Sequence, residues 1–220
     1  MTLRRAAPLL CLLLAASFAR AAGENDASGD GLAVVADRQG DLLTVSNGFD
    51  GTAGFVRMTS TDPNRNVLWD RTHSDGYLER AAYTFMDPSG NVIVAGVRLV
   101  QGANYMWVMK YSAAGQLQWE QVDSTPGCAA FNVVGNDAGD VWVAGSCQQD
   151  RNFSVKLLRY AANGGRYWSR DYSEAGRNYV RNLSVDFADR VNLTLEIVSG
   201  GQRAARGIVY DGSGNRLAAY

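Results

Sequence analysis

His73 is the only histidine in the chain, and it is therefore the one side chain with an ordinary pKa suited to acid-base chemistry near neutral pH. A metal site built from several histidines is excluded. A catalytic triad would have to use His73, and the chain lacks the Gly-x-Ser-x-Gly elbow that presents many nucleophilic serines. Because it lies between Arg71 and Asp75 in a polar stretch, we expect His73 to be an exposed loop residue.

Carboxylate side chains could support glycoside hydrolysis, which uses a pair of Asp or Glu residues. The candidates in polar stretches between apolar segments are Asp70, Asp75, Asp123, Asp171 and Glu174. Any loop-rich chain offers as many carboxylates, so only carboxylates that lie within about 5–10 Å of one another would favour an enzyme. Residues 62–66 and 211–215 resemble the start of a calcium loop but lack its acidic ligand at the twelfth position. No metal and no cofactor is assigned.

These side chains are distributed over a fourfold repeat. The segment Asp-Pro-Ser-Gly-Asn-Val-Ile-Val-Ala-Gly begins at residue 87, with a near-copy at 136 and weaker copies at 37 and 186. The anchors are 50, 49 and 50 residues apart, at Asp41, Asn91, Asp140 and Arg190. Each unit contains four short strand patterns, which is typical of a β-propeller blade.

We therefore predict an all-β fold, a β-propeller-like array of four four-stranded antiparallel blades with no helix longer than two turns. The predicted blades are residues 32–72, 80–122, 128–172 and 180–220. A tryptophan closes the fourth strand of three blades and is expected to be buried between neighbouring sheets. These residues are Trp69, Trp119 and Trp168, with Ala218 in the fourth blade.

The pattern Asp-x-x-Gly-Asn-x-x-Val-Ala-Gly, followed by a Lys-Tyr-x-x-x-Gly turn and a tryptophan, resembles the SBBP-type β-propeller repeats of secreted bacterial proteins. Residues 87–119 match best and 136–168 nearly as well, whereas 32–71 and 181–220 match in part. The resemblance implies a scaffold without shared catalytic residues. Ring closure stays open: a closed ring of four blades, an open arc, or a homodimer completing a larger, eight-bladed ring.

The two ends of such an array are expected to differ. One end carries short, uniform hairpin turns, and the other carries loops of varied length, which are typical of a binding surface and include residues 98–104 and 199–203. The predicted ligand-binding residues on the variable end are His73, Tyr77, Arg98, Gln101, Asn104, Arg151, Asn152, Arg177 and Arg203. The predicted function is a binding or scaffold module for an unknown protein or glycan. The alternative is a carbohydrate-active hydrolase or lyase on a propeller fold.

Cys128 and Cys147 are the only cysteines after the N-terminal segment. Their midpoint falls on the hairpin turn at residues 137–138, so they should face each other across antiparallel strands and form a disulfide. One period earlier the same positions hold Glu79 and Arg98. We expect these to be an exposed ion pair worth under about 1 kcal/mol.

The N-terminus has the features of a secretory signal peptide: Arg4 and Arg5, an apolar run over residues 6–16, and a small-x-small cleavage site ending at Ala21. We assign residues 1–21 to the signal and 22–31 to a flexible leader, which predicts a secreted or periplasmic protein. The apolar run is too short for a membrane span. The net charge of −1 gives no indication of nucleic-acid binding.

Overall fold

The computed structural model describes residues 30–149 and 152–220. The regular secondary structure within these ranges consists of β-strands, without helices. The all-β prediction is therefore confirmed for this part of the chain, which also contains no helix able to cross a membrane. The predicted signal peptide and residues 22–29 of the leader lie outside the described residues. The first strand begins at Asp30, just before the predicted start of the repeats.

The strands fall into four units of four consecutive strands, which we number in chain order. Unit 1 contains β1 (Asp30–Ala36), β2 (Leu42–Phe49), β3 (Gly54–Thr61) and β4 (Val67–His73). Unit 2 contains β5 (Leu78–Met86), β6 (Val92–Val100), β7 (Ala103–Tyr111) and β8 (Leu117–Val122). Unit 3 contains β9 (Cys128–Gly135), β10 (Val141–Gln149), β11 (Asn152–Tyr160) and β12 (Arg166–Tyr172). Unit 4 contains β13 (Arg177–Val185), β14 (Val191–Ser199), β15 (Gln202–Tyr210) and β16 (Arg216–Ala219).

Each unit is an antiparallel sheet whose strands pair in chain order. Units 3 and 4 are also joined, because β11 and β13 meet as a parallel pair at Phe153 and Arg177. The first strands of the units pack on one another in sequence, β1 on β5, β5 on β9 and β9 on β13. Within the described ranges the sheets do not close into a ring.

The first hairpin turn of each unit is organised by the residue that opens it. In unit 2 the carboxylate of Asp87 accepts hydrogen bonds from the backbone N–H groups of Ser89 and Asn91, at 3.0 and 2.9 Å. Gly90 follows with φ of 78°, a conformation that glycine adopts without steric cost. The repeated Asp-x-x-Gly sequence is therefore the turn itself.

The predicted loops at residues 98–104 and 199–203 are instead two-residue turns. Both central residues have positive φ, 49° and 82° at Gln101 and Gly102 and 56° and 80° at Gly200 and Gly201. Such turns match the twist of the flanking strands, so the strands continue almost to the turn. As a result Arg98, Asn104 and Arg203 lie on strands rather than in loops.

The repeated tryptophans join each unit to the next. The indole Nε1 of Trp69 donates to the backbone oxygen of Ala113 at 2.9 Å, and that of Trp119 donates to Ala162 at 2.8 Å. Trp168 makes the same contact with Gly212 at 2.9 Å. Trp69 and Trp119 are 9% and 8% exposed, and Trp168 is half-buried. Their predicted packing between neighbouring sheets is confirmed, but Trp168 is less buried than predicted.

The turn glycines recur because each lies against the tryptophan of the preceding unit. A Cβ atom at Gly164 would lie 2.7 Å from the ring of Trp119, and one at Gly115 would lie 2.6 Å from Trp69. Unit 1, the first of the four described units, carries Arg65 at this turn position, with φ of 69°. Unit 4 correspondingly carries Ala218 in place of tryptophan. Unit 1 therefore lacks the turn glycine, and unit 4 lacks the tryptophan, that form the contact between the other units.

We expect hydrogen exchange to reach unit 4 first. Its last strand, β16, is exposed throughout and has no tryptophan to anchor it to a further unit. Amide exchange followed by mass spectrometry should therefore show the fastest exchange of any strand in β16 and β15. Faster exchange in the strands of unit 2 would contradict this order.

The predicted disulfide between Cys128 and Cys147 is confirmed, with an S–S distance of 2.06 Å. The two residues are direct partners across β9 and β10, and their Cα atoms are 3.9 Å apart, closer than the about 4.5–5.5 Å expected for such pairs. Both side chains are buried, at 0% and 2% exposed. A disulfide fits an oxidising compartment.

Replacing both cysteines by alanine is expected to lower the free energy of unfolding by about 3 kcal/mol, because the unfolded chain loses a cross-link. Urea melts of the variant and of the oxidised wild type would measure the difference. The reduced wild type is the control for loss of the cross-link without a change of side chain. A difference near zero would show that the bond does not constrain the unfolded chain.

Candidate functional site

Five ionisable side chains meet where unit 1 packs on unit 2, and we call them the His73 cluster: His73, Asp75, Glu79, Arg98 and Glu120. His73 ends β4 and Asp75 lies in the loop after it, whereas Glu79, Arg98 and Glu120 come from β5, β6 and β8. One ligand atom from each of the four residues other than Arg98 lies within 4.8 Å of the others. The cluster thus combines both units.

The guanidinium of Arg98 holds the three carboxylates together. Its Nε donates to Glu79 Oε1 at 2.6 Å, and its Nη2 lies 2.6 Å from Asp75 Oδ2. The same Nη2 also contacts Glu120. The guanidinium carbon of Arg98 also lies 5.1 Å from the ring centroid of Tyr77, within cation–π range.

The prediction that Glu79 and Arg98 form an exposed pair is wrong. Their side chains are 0% and 10% exposed. The physical reason is the neighbouring unit, since β4 places the His73 ring over this rung, with Nε2 3.4 Å from Glu79 Oε2. A pair at this depth behaves differently from a surface pair, because loss of one partner leaves the other charge buried.

The prediction that His73 is an exposed loop residue is also wrong. It is the last residue of β4, and its side chain is 10% exposed. Its Nδ1 lies 3.3 Å from the Tyr111 hydroxyl, and its ring lies against Trp107 at a centroid distance of 5.4 Å. Its Nε2 lies 3.3 Å from Glu120 Oε1. The sequence around His73 is polar and gives no indication that residues of unit 2 bury the His73 side chain.

The cluster separates the pKa values of two neighbouring glutamates. Burial raises the pKa of Glu79 to about 7, against the opposing charges of Arg98 and His73. Burial also acts to raise the pKa of Glu120, but its contacts with His73 and Trp107 and the charge of Arg98 outweigh burial and lower it to about 2. The pKa of His73 is raised, because its contact with Glu120 and the nearby carboxylates outweigh burial. Divergent carboxyl pKa values are typical of acid-base sites.

Of the nine predicted ligand-binding residues, the structure brings three together: His73, Tyr77 and Arg98. Gln101 lies in the β6–β7 turn and Asn104 near the start of β7. Arg177 stacks on Phe153 at 5.7 Å, and Arg203 Nη1 lies 2.9 Å from Glu196 Oε1. Asn152 begins β11, and Arg151 lies outside the described residues. Ligand binding by this set stays a prediction.

Glu120, Trp107 and Tyr111 belong to the site and were missed in the sequence. A signal for Glu120 exists, because a donor on the third strand faces an acceptor on the fourth strand in three units. These pairs are Arg57 with Asp70, Trp107 with Glu120, and Lys156 with Ser169. Comparing the units position by position would have paired Glu120 with Trp107.

A second feature, which we call the unit 1–2 groove, opens at the end of the array where the loops between units lie. It is a cavity of about 380 Å³ whose apolar lining includes Phe49, Leu78, Val97 and Leu99. Phe49 is 53% and Leu78 43% exposed. Gly54 closes its floor, since a Cβ atom there would lie 2.4 Å from the backbone oxygen of Glu79.

The chain matches no protein-family model and no curated protein sequence. Among solved structures, an endo-1,4-beta-xylanase from Bacteroides thetaiotaomicron VPI-5482 aligns with a TM-score of 0.44 and 9% identity, covering 84% of this chain and 74% of that one. An endo-arabinase from the same organism aligns with a TM-score of 0.41 and 9% identity, and the alignment covers 81% of this chain and 72% of that one. The mannose phosphorylase MPT-4 from Leishmania mexicana aligns with a TM-score of 0.39 and 14% identity, and the alignment covers 87% of this chain and 67% of that one. Likeness at this level carries no argument about activity.

Proposed function

We propose that the chain is an exported binding module, a propeller-like array of four blades that binds a protein partner in the unit 1–2 groove. The observation that carries the proposal is an apolar cavity of about 380 Å³ at the variable-loop end, with Phe49 and Leu78 exposed at its edge. Large apolar side chains exposed beside a cavity are typical of contact sites. The disulfide supports export, because such bonds persist in oxidising compartments.

A protein segment fits the groove better than a glycan. Sugar recognition needs polar groups free to bind hydroxyls, and the amide of Asn47 is already used. Its Nδ2 donates to the backbone oxygen of Ala81 at 3.0 Å, and its Oδ1 accepts from the Ala81 N–H at 2.8 Å. The Glu79 carboxylate is buried beneath Arg98. What the groove offers is aliphatic surface, which suits an apolar side chain of a partner.

Photo-crosslinking from the groove tests the proposal. A photoreactive amino acid at Leu78 should crosslink a discrete protein partner in the native host. The same amino acid at Leu117, which is 48% exposed at the opposite end, is the matched control and should not. Equal crosslinking from both positions, or none from Leu78, would count against the groove. A glycan array probed with the mature protein separates the glycan alternative, and saturable binding there would replace the protein assignment.

A carbohydrate-active hydrolase is the second candidate, favoured by the convergence of Glu79 and Glu120 and by their divergent pKa values. Against it, the Glu79 side chain is 0% exposed, so a sugar ring would have no access to that carboxylate. We expect no turnover of a polysaccharide panel by the wild type. Turnover that is abolished in Glu120→Gln would establish the hydrolase instead.

A second copy of the chain is a different kind of partner, which would complete a larger ring. Such a ring would need a contact other than the tryptophan–turn contact, because Ala218 and Arg65 occupy the two end positions. Sedimentation equilibrium of the mature chain distinguishes the cases. A single monomeric species supports a heterologous partner, and a stable dimer supports the two-chain ring.

A further inference from the structure

We propose that the His73 cluster binds one divalent transition-metal ion of the Zn²⁺ class, through His73 Nε2 and carboxylate oxygens of Glu79, Glu120 and Asp75. Imidazole and carboxylate are both Zn²⁺ ligands, and three or four of them suffice for a site. This site is independent of the groove and of any partner bound there. It uses a single histidine and is therefore distinct from the multi-histidine sites that the sequence excludes.

The distances around His73 Nε2 are those of ligands sharing an ion. Nε2 lies 3.4 Å from Glu79 Oε2 and 3.3 Å from Glu120 Oε1. Two ligands bound tetrahedrally at about 2.0–2.1 Å lie about 3.3–3.4 Å apart. The four candidate ligand atoms, one of them from Asp75, lie within 4.8 Å of one another.

Two of these atoms are buried without a hydrogen-bond partner, namely His73 Nε2 and Glu79 Oε2. The His73 and Glu79 side chains are 10% and 0% exposed, so bulk water does not satisfy these atoms. Buried polar atoms almost always have partners, and a bound ion is one of the standard explanations when they do not. His73 Nε2 lies 3.4 Å from Glu79 Oε2 and 3.3 Å from Glu120 Oε1, so the three atoms border the same space.

The surrounding residues fix the orientation of the ligands. The Tyr111 hydroxyl lies 3.3 Å from His73 Nδ1, the nitrogen that would not bind the ion. Arg98 binds Glu79 Oε1 and Asp75 Oδ2, which leaves the other oxygen of these two carboxylates available, whereas Glu120 Oε1 accepts from Arg98 and Trp107. Hydrogen bonds to the distal atoms of ligands are the usual outer support of a metal site.

The charges of the cluster also fit a divalent ion. In the form that would bind a metal ion, with His73 neutral and the three carboxylates ionised, the cluster carries two negative charges beyond the one that Arg98 balances. One divalent cation would balance them. Burying unbalanced charge is costly, and coordination of a metal is one of the ways proteins avoid that cost.

The equivalent positions in units 3 and 4 also hold stabilising contacts. One period after Glu79 stands Cys128, in the disulfide with Cys147. A further period on stands Asn178, which is 0% exposed and whose Nδ2 donates to the backbone oxygens of Phe153 and Glu174 at 2.8 and 2.9 Å. The disulfide lies within unit 3, whereas a metal ion bound by His73 and Glu79 would join unit 1 to unit 2.

Titration of the chelator-treated mature chain with Zn²⁺ in a calorimeter tests the site. We expect one ion per chain, with affinity reduced by at least about 10-fold in His73→Gln, Glu120→Gln and Asp75→Asn. Asp75 lies in a loop with its side chain 33% exposed, so Asp75→Asn should fold even if a variant in the buried cluster does not. Glu174→Gln, at the position equivalent to Asp75 in the unit 3–4 interface, is the matched control and should bind as the wild type does.

X-ray absorption of the Zn²⁺-loaded protein provides a second readout. The result expected is a shell of nitrogen and oxygen with scattering from a single imidazole. Binding that is non-stoichiometric, equal in wild type and Asp75→Asn, or without imidazole scattering would mean an adventitious ion only, and would overturn the proposal.

Discussion

Replacing Trp119 by alanine is expected to lower the free energy of unfolding by about 3–5 kcal/mol, the range for removing a large core aromatic. The indole is 8% exposed and lies under the turn glycine Gly164. Alanine would leave a cavity between units 2 and 3 and an unpaired backbone oxygen at Ala162. Urea denaturation followed by fluorescence or circular dichroism measures the change.

Trp119→Phe is the control that separates packing from hydrogen bonding. Phenylalanine keeps most of the ring contact but cannot donate to Ala162, so we expect a smaller loss of about 1–2 kcal/mol. A loss under about 1 kcal/mol in Trp119→Ala would show that the contact between units contributes little. Equal losses in both variants would assign the effect to the hydrogen bond alone.

Replacing Arg98 by methionine is expected to destabilise the protein by about 3–5 kcal/mol, because one partner of a buried ion pair is removed. The Glu79 side chain is 0% exposed and would remain beside Asp75 and Glu120 without the guanidinium. Without the charge of Arg98, which opposes the rise caused by burial, the pKa of Glu79 would rise further, so Glu79 would bind a proton or stay charged at high cost. Either outcome lowers the free energy of unfolding.

The matched control for Arg98→Met is Arg57→Met. Arg57 Nη2 also pairs with a carboxylate, that of Asp70 at 2.7 Å, but the side chains are 48% and 37% exposed. Water and salt screen such a pair, and we expect a loss under about 1 kcal/mol. Similar losses in the two variants would contradict the assignment of a buried role to Arg98.

Most of the fold could be predicted from the repeat period. Turn chemistry and the recurring tryptophans are local features, so four units, their hairpins and the Cys128–Cys147 pairing followed from spacing in the sequence. The two-residue turns at Gln101–Gly102 and Gly200–Gly201 were interpreted as longer loops. Their Gln-Gly and Gly-Gly sequences carry the signal of a tight hairpin, which was not used.

The site was less accessible to prediction, because burial depends on contacts between units. Glu79 and Arg98 were correctly paired across β5 and β6, but only the position of His73 on β4 shows that the pair is covered. Glu120 joins through Trp107 on the neighbouring strand. No local pattern around Glu120 predicts that its carboxylate contacts His73, Arg98 and Trp107. The residues of the His73 cluster come from four strands and a loop, which are separated in the sequence.

The central claim is that the unit 1–2 groove binds a protein partner, and the affinity of the crosslinked partner for groove variants tests it most directly. We expect Leu78→Asp to weaken binding by at least about 10-fold, since a charge in an apolar contact loses buried area and gains a desolvation cost. Leu117→Asp, at the opposite end, should bind as the wild type does. Unchanged affinity in Leu78→Asp, with the fold intact by circular dichroism, would contradict the account.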